Sequence, residues 1–153
     1  MNLSLISQKP SSPTTLGVLA ALRAASEESD YVTEVRVAQP QQWQPSKDEA
    51  AILLLEEEGA AWPAPLWPAG GSALGLPVLP LLVHRQYEHP PQGPDVRDPH
   101  FYFVSNGILL DEAELADPAC SLVLKSKFES YFPLLSRLIL LRQRQRQPGV
   151  LSS

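Results

Sequence analysis

Four sets of residues carry side chains able to do chemistry, and each is weighed against what that chemistry needs. The segment Lys9-Pro10-Ser11-Ser12-Pro13-Thr14-Thr15 sets a lysine and several hydroxyls just ahead of an apolar helical pattern. Free N–H groups at a helix start attract anions, but Pro10 and Pro13 have no N–H to give. A capped helix start is the simpler reading, with Ser12 as N-cap and Pro13 in the first helical position. His84, Glu88, His89, Asp95, Asp98 and His100 crowd one proline-rich stretch. Imidazole and carboxylate together hold divalent metals, yet no pair stands on a firm helix, so the stretch reads as a solvated loop. Glu56-Glu57-Glu58 closes an apolar run and would lie at the carboxyl end of a strand, where open α/β sheets place their sites. Cys120 is the single cysteine, which excludes an internal disulfide and any Cys-cluster zinc site.

Two further segments suit binding better than catalysis. Trp62-Pro63-Ala64-Pro65-Leu66-Trp67-Pro68 favours an extended, low-entropy conformation that presents Trp62 and Trp67 as apolar anchors. The alternative is that both rings fold back over the sheet. Arg137, Arg142, Arg144 and Arg146 lie in a basic C-terminal segment. From Met1 to Leu124 there are 6 Lys/Arg against 16 Asp/Glu, whereas Lys125 to Ser153 has 6 against Glu129 alone. An acidic body repels polyanions, so nucleic acid is disfavoured as a partner. The basic segment suits an acidic protein surface, a second copy of the chain or an anionic membrane face. Arginine near a helix C-terminus also simply complements the macrodipole.

Periodicity assigns the secondary structure around these residues. Leu3, Leu5 and Ile6 form a short strand, and the helix after Ser12 carries a stripe at Leu16, Leu19, Ala20 and Leu22. Tyr31 to Ala38 alternates as an edge or half-exposed strand. Ser46, with Glu49 three residues on, has capping-box spacing and predicts a single helical turn. Ala51–Leu55 and Leu76–Val83 are continuous apolar runs, as central strands covered on both faces are. Pro77 and Pro80 weaken the second, because proline cannot donate to a ladder. Phe101–Val104 is a further strand, closed by Ser105-Asn106-Gly107, and Asp111–Leu115 a helical turn before Asp117-Pro118. A last helix runs from about Phe128 to Gln147, with Leu134, Leu135, Leu138 and Leu141 on its packed face, Ile139 off it, and Pro133 in its first turn if Ser130 caps it. The expected core is Leu53, Leu55, Leu79, Leu81 and Phe103.

At 153 residues, 44% hydrophobic and 19% charged, the chain is long and apolar enough for one folded domain. Sixteen prolines imply long, stiff loops. No apolar run approaches the 18 or so residues needed to span a bilayer, and the first residues lack the pattern of a signal peptide. A cytoplasmic location is therefore expected.

The spacing of the five strand-like runs resembles a response-regulator receiver domain, a flavodoxin-like fold, over roughly residues 2–110. The resemblance lies in layout. Ser7, Gln8 and Lys9 stand where a receiver holds magnesium with acids, and Glu56 stands near the position of its phosphorylated aspartate. His84 and Ser105 fall near its Thr/Ser and Lys positions. What the resemblance implies is a pseudo-receiver that binds proteins and does not accept phosphate. Lys9 to Leu16 also looks like a damaged nucleotide-binding P-loop of the partition-ATPase type, with its glycines replaced by proline and serine and the lysine before the threonines missing.

These readings converge on an α/β domain over residues 1–147, followed by a disordered tail over 148–153. Its expected architecture is a single doubly wound, mainly parallel sheet of about five strands, with incomplete helical cover and a C-terminal helix. The expected function is a non-catalytic protein-interaction or regulatory domain, without cofactor or metal. It meets a protein partner or a second copy through Trp62, Trp67, Arg137, Arg142, Arg144 and Arg146. Two alternatives stand beside it: a small metal-binding protein or enzyme using the His/Asp stretch, and a membrane or nucleic-acid binder through the C-terminal helix.

Overall fold

The computed structural model describes residues 1–46, 48–56, 76–84, 101–104 and 108–145. In chain order they form β1 (Asn2–Ser7), α1 (Pro13–Glu27), β2 (Glu34–Ala38), β3 (Glu49–Leu55), β4 (Leu76–His84), β5 (Phe101–Phe103), β6 (Ile108–Asp111), a 3-10 turn (Glu112–Ala116) and α2 (Pro118–Gln145). Every strand pair is parallel, and the order across the sheet is β2-β1-β3-β4-β5, with β6 also beside β4. The chain therefore has the α/β class and strand order of flavodoxin-like layouts.

β5 and β6 share one edge of β4. β5 pairs with Leu76–Val78 and β6 with Leu81–His84, so the sheet is five strands wide and its last strand is split. Two prolines explain how so proline-rich a strand sits centrally. The Val104 N–H donates to the Val78 carbonyl at 3.0 Å, so Val78, and with it Pro80 two residues on, turns its backbone groups toward the β5/β6 edge. The donor that Pro80 lacks thus falls in the gap between β5 and β6. Pro77 turns the other way and precedes Val78, the first residue in register with β3. Neither proline interrupts a ladder. The expected strand at Phe101–Val104 is present, but its continuation as β6 is not apparent in the sequence.

The two faces of the sheet are covered differently. On one face, Leu3, Leu5, Ile52, Leu54, Leu79, Leu81 and Ile108 pack against both α1 and α2. On the other, Ile6, Ala51, Leu53, Leu55, Leu76 and Val78 form a second cluster with Trp43, which lies in the connection from β2 to β3. Going from β2 past β1 to β3 reverses direction across the sheet, and the right-handed rule for parallel crossovers puts that connection on the face opposite α1. Four of the five expected core residues are buried, Leu53 and Leu55 on one face and Leu79 and Leu81 on the other. The Phe103 side chain lies outside the described residues.

α1 begins as its sequence requires. Ser12 is extended at φ −67° and ψ 150°, its Oγ accepts the Thr15 N–H, and Pro13 opens the helix. The buried face is Thr14, Thr15, Val18, Leu19, Ala21, Leu22 and Ala25. Leu16, expected in the stripe, is instead 54% exposed.

α2 starts ten residues before the expected point. Asp117 caps it, its Oδ1 accepting the Ala119 N–H at 2.9 Å, and Pro118 opens it. Pro133 is consequently inside the helix, not in its first turn. The buried stripe is Leu124, Phe128, Phe132, Leu135, Ile139 and Arg142, at spacings of three or four. The expected stripe is corrected accordingly: Leu135 is packed, Leu134 and Leu141 are over 40% exposed, and Ile139 is in the core. Lys125 Nζ donates to Glu28 Oε2 at 2.8 Å and ties α2 to the end of α1. That hydrogen bond and the charge behind it hold the Glu28 carboxyl below its ordinary range and raise the Lys125 ammonium above its own. At its far end α2 is fastened to the approach to β3, where Arg142 Nη1 reaches the Ser46 carbonyl at 3.5 Å and the Gln143 amide bonds the Asp48 carboxylate. The helical turn expected at Ser46 is absent from the described residues. Strand β3 begins at Glu49, because the Glu49 side chain is drawn into the sheet and not back onto a helix N-terminus.

Candidate functional site

Open parallel sheets bind ligands outside the carboxyl ends of their strands, and here β1, β3 and the start of α1 converge there. β1 ends at Ser7, buried on the helix-bearing face. The chain turns through Lys9, whose N–H donates to Ser7 Oγ at 3.1 Å and whose carbonyl accepts the Ser12 N–H at 3.0 Å. This turn places the Ser12 and Thr15 hydroxyls beneath Glu56, the residue just past β3.

Glu56 Oε1 is the focus. Thr15 Oγ1 lies 2.6 Å from it and Ser12 Oγ 2.8 Å. Thr15 Oγ1 is also 2.9 Å from the hydroxyls of Ser7 and Ser12 and 2.8 Å from the Lys9 carbonyl. Each hydroxyl has one proton to place. Ser12 and Thr15 donate to Glu56, Ser7 donates to Thr15, and the network closes on itself. α1 has no acidic residue in its first turn, so Glu56 brings negative charge to the helix N-terminus from another element. A phosphate drawn to the same end would meet that carboxylate and two prolines without N–H groups.

Other predicted positions are spread apart. Arg137 and Arg144 are exposed on α2. Arg142, expected at the surface, is 5% exposed and packed into the end of the helix–sheet interface. The reason is the shifted stripe, which turns position 142 inward. Trp62, Trp67, Arg146, the expected tail, Glu57, Glu58, Glu88, His89, Asp95, Asp98 and His100 lie outside the described residues, as does the His84 side chain. Among the described residues no His, Cys, Asp and Glu cluster suits a metal, and no helix is long and apolar enough to cross a membrane. Cys120 is half-buried and in its thiol form. The outward side of α2 carries Leu122, Val123, Leu134, Leu140 and Leu141, all more than 40% exposed.

Two buried residues have roles that their local sequence does not announce. Thr15 is fully buried at the centre of the hydroxyl network, and Glu49 is fully buried at the start of β3. The signal for Glu49 was its place at the head of the apolar run Glu49–Leu55, where an acid has no reason to stand unless partners await it. No protein-family model matches the chain, and neither a curated protein nor a solved structure does.

Proposed function

We propose that this chain is a non-catalytic, cytoplasmic protein-interaction domain, a receiver-like scaffold that has lost its phosphoryl chemistry. The observation that supports it is the closed network around Glu56. The place where an α/β sheet of this order takes its ligand is occupied by the chain's own carboxylate, already accepting from Ser12 and Thr15. A site whose donors are satisfied from within offers little to an incoming phosphate.

Contact falls instead to the outer side of α2, where exposed leucines flank Arg137 and Arg144, and to Trp62 and Trp67. An apolar stripe with Arg137 and Arg144 among its exposed leucines fits an acidic, amphipathic protein surface, such as that of a regulated partner or of the acidic body of a second copy. The test pairs two measurements. Titration with magnesium-ATP by calorimetry gives no binding in the micromolar range. Recovery of a partner, or self-association in sedimentation, is lost when Leu134 and Leu141 become Asp in a protein that still melts cooperatively. Micromolar nucleotide binding, or binding of anionic vesicles with no protein partner and no self-association, would overturn the reading.

A further inference from the structure

On the sheet face opposite the two helices, β2 and the 39–46 connection enclose a cleft of about 400 Å³ lined by Ser4, Arg36, Gln42, Trp43, Gln44 and Glu49. We propose that this cleft binds a carboxylate group, with Arg36 as the recognising cation. The cleft is remote from the Glu56 network and does not depend on the outer side of α2.

The argument starts from Glu49. Strand register sets Asn2 beside Glu49 and Ser4 beside Arg36, so the alternation of the pleat turns Ser4, Arg36 and Glu49 to one face. Glu49 is fully buried, and three donors converge on it: Ser4 Oγ at 2.6 Å, Trp43 Nε1 at 2.8 Å and Arg36 Nη2 at 3.3 Å. A buried carboxylate so held is a fixed wall, not a mobile ligand group.

Arg36 stands in front of that wall. Its side chain is 49% exposed, and its bond to Glu49 engages Nη2 alone. A guanidinium has five N–H donors in a rigid planar fork, so most of them remain for something in the cleft. Because Glu49 already restrains the side chain, less rotamer freedom is lost when a ligand arrives.

The chemistry of the occupant follows from charge and shape. The planar fork matches the two oxygens of a carboxylate. Glu49 behind it leaves the pocket nearly neutral, which tolerates a monoanion but opposes a phosphate dianion. The Gln42 and Gln44 amides at the rim are neutral donors suited to the same group. A volume near 400 Å³ has room for a small organic acid or for one acidic side chain with its backbone.

The test follows the indole N–H resonance of Trp43, which reports on Glu49 directly, during titration of the intact protein at constant ionic strength. The probes are sodium acetate, N-acetylglutamate amide, sodium phosphate and sodium chloride. Saturable movement with either carboxylate, and none with chloride, is the expected result. Tighter binding of the peptide-like acid points to an acidic side chain of a protein, and equal binding to a free organic acid. Arg36→Lys keeps the charge beside Glu49 but loses the fork, and weakens the affinity by about tenfold or more. Should that variant fail to fold, Gln42→Glu with Gln44→Glu alters only exposed side chains and weakens binding by repulsion. No saturable movement with either carboxylate, phosphate binding tighter than both, or affinity unchanged in the folded variants would each overturn the proposal.

Discussion

Thr15 Oγ1 and Glu56 Oε1 lie 2.6 Å apart, joining the first turn of α1 to the residue just past β3. They are 41 positions apart in sequence, so the contact fixes how the helix enters the sheet. Glu56→Gln keeps the shape but removes the charge at the helix N-terminus and weakens two charge-assisted bonds. The expected loss is about 1–3 kcal/mol of unfolding free energy, read from urea midpoints at neutral pH. A variant as stable as the parent would mean the network is decorative.

Ser12 both caps α1 and donates to Glu56. Ser12→Ala is expected to destabilise by about 0.5–2 kcal/mol, and Ser12→Asp to lose more than an ordinary cap swap would. The asparagine variant discriminates, since it caps without adding a second negative charge. Thermal melts of the three variants order them Asn, Ala, Asp from most to least stable.

Leu53 is 1% exposed between β1 and β4, whereas Leu134 is 42% exposed on α2. Leu53→Ala should therefore cost about 2–5 kcal/mol, and Leu134→Ala no more than about 0.5 kcal/mol. Chemical denaturation of the two single variants checks the ratio. Equal losses would contradict the central place of β3 or the outward position of Leu134 on α2.

The arginines of α2 separate by burial. Arg142→Gln removes a buried cation near the Ser46 carbonyl and is expected to destabilise by about 1–3 kcal/mol. Arg137→Gln and Arg144→Gln leave the melting temperature unchanged and act on partner binding alone. Melting curves read beside a binding assay check the division.

The Glu28–Lys125 contact carries a pH signature of definite sign. Glu28 is depressed in the folded protein, so its contribution is present above its ordinary value of 4.5 and fades as pH falls through the lower folded value. Lys125 is raised, so its contribution holds below 10.5 and is lost as pH rises through the higher folded value. Both side chains are solvent-accessible and screening keeps the effect small. Melting of Glu28→Gln against the parent should show a gap at neutral pH that closes in acid.

What the sequence revealed was decided locally. Ser12-Pro13 is helix-start chemistry whatever surrounds it, and Ala51–Leu55 is apolar on both alternating sets because β3 is central. The strand alternation at Glu34–Ala38 marks an edge for the same reason. What stayed hidden needed tertiary partners. β6 is four residues long and becomes a strand only because the edge of β4 is vacant beyond Pro80. The side of α2 that packs could not be read from leucines that point several ways. The capping-box spacing at Ser46 was overruled because Glu49 finds Ser4, Arg36 and Trp43 across the sheet. For the candidate site, the hydroxyls and Glu56 were visible singly, and only the fold brought them together.

Because every strand pair among the described residues is parallel, none of these pairs is a hairpin that could form from neighbouring residues. Asn2 comes to rest between Glu34 on one side and Glu49 on the other, so each edge of β1 waits for its own long loop closure, and both are paired only after two. Such non-local pairing places the domain among the slower folders of its size. During synthesis, β1 emerges first with apolar side chains on both faces, yet α2, which seals one of them, emerges late. The interval in which β1 stands open is when the chain is most exposed to misassembly.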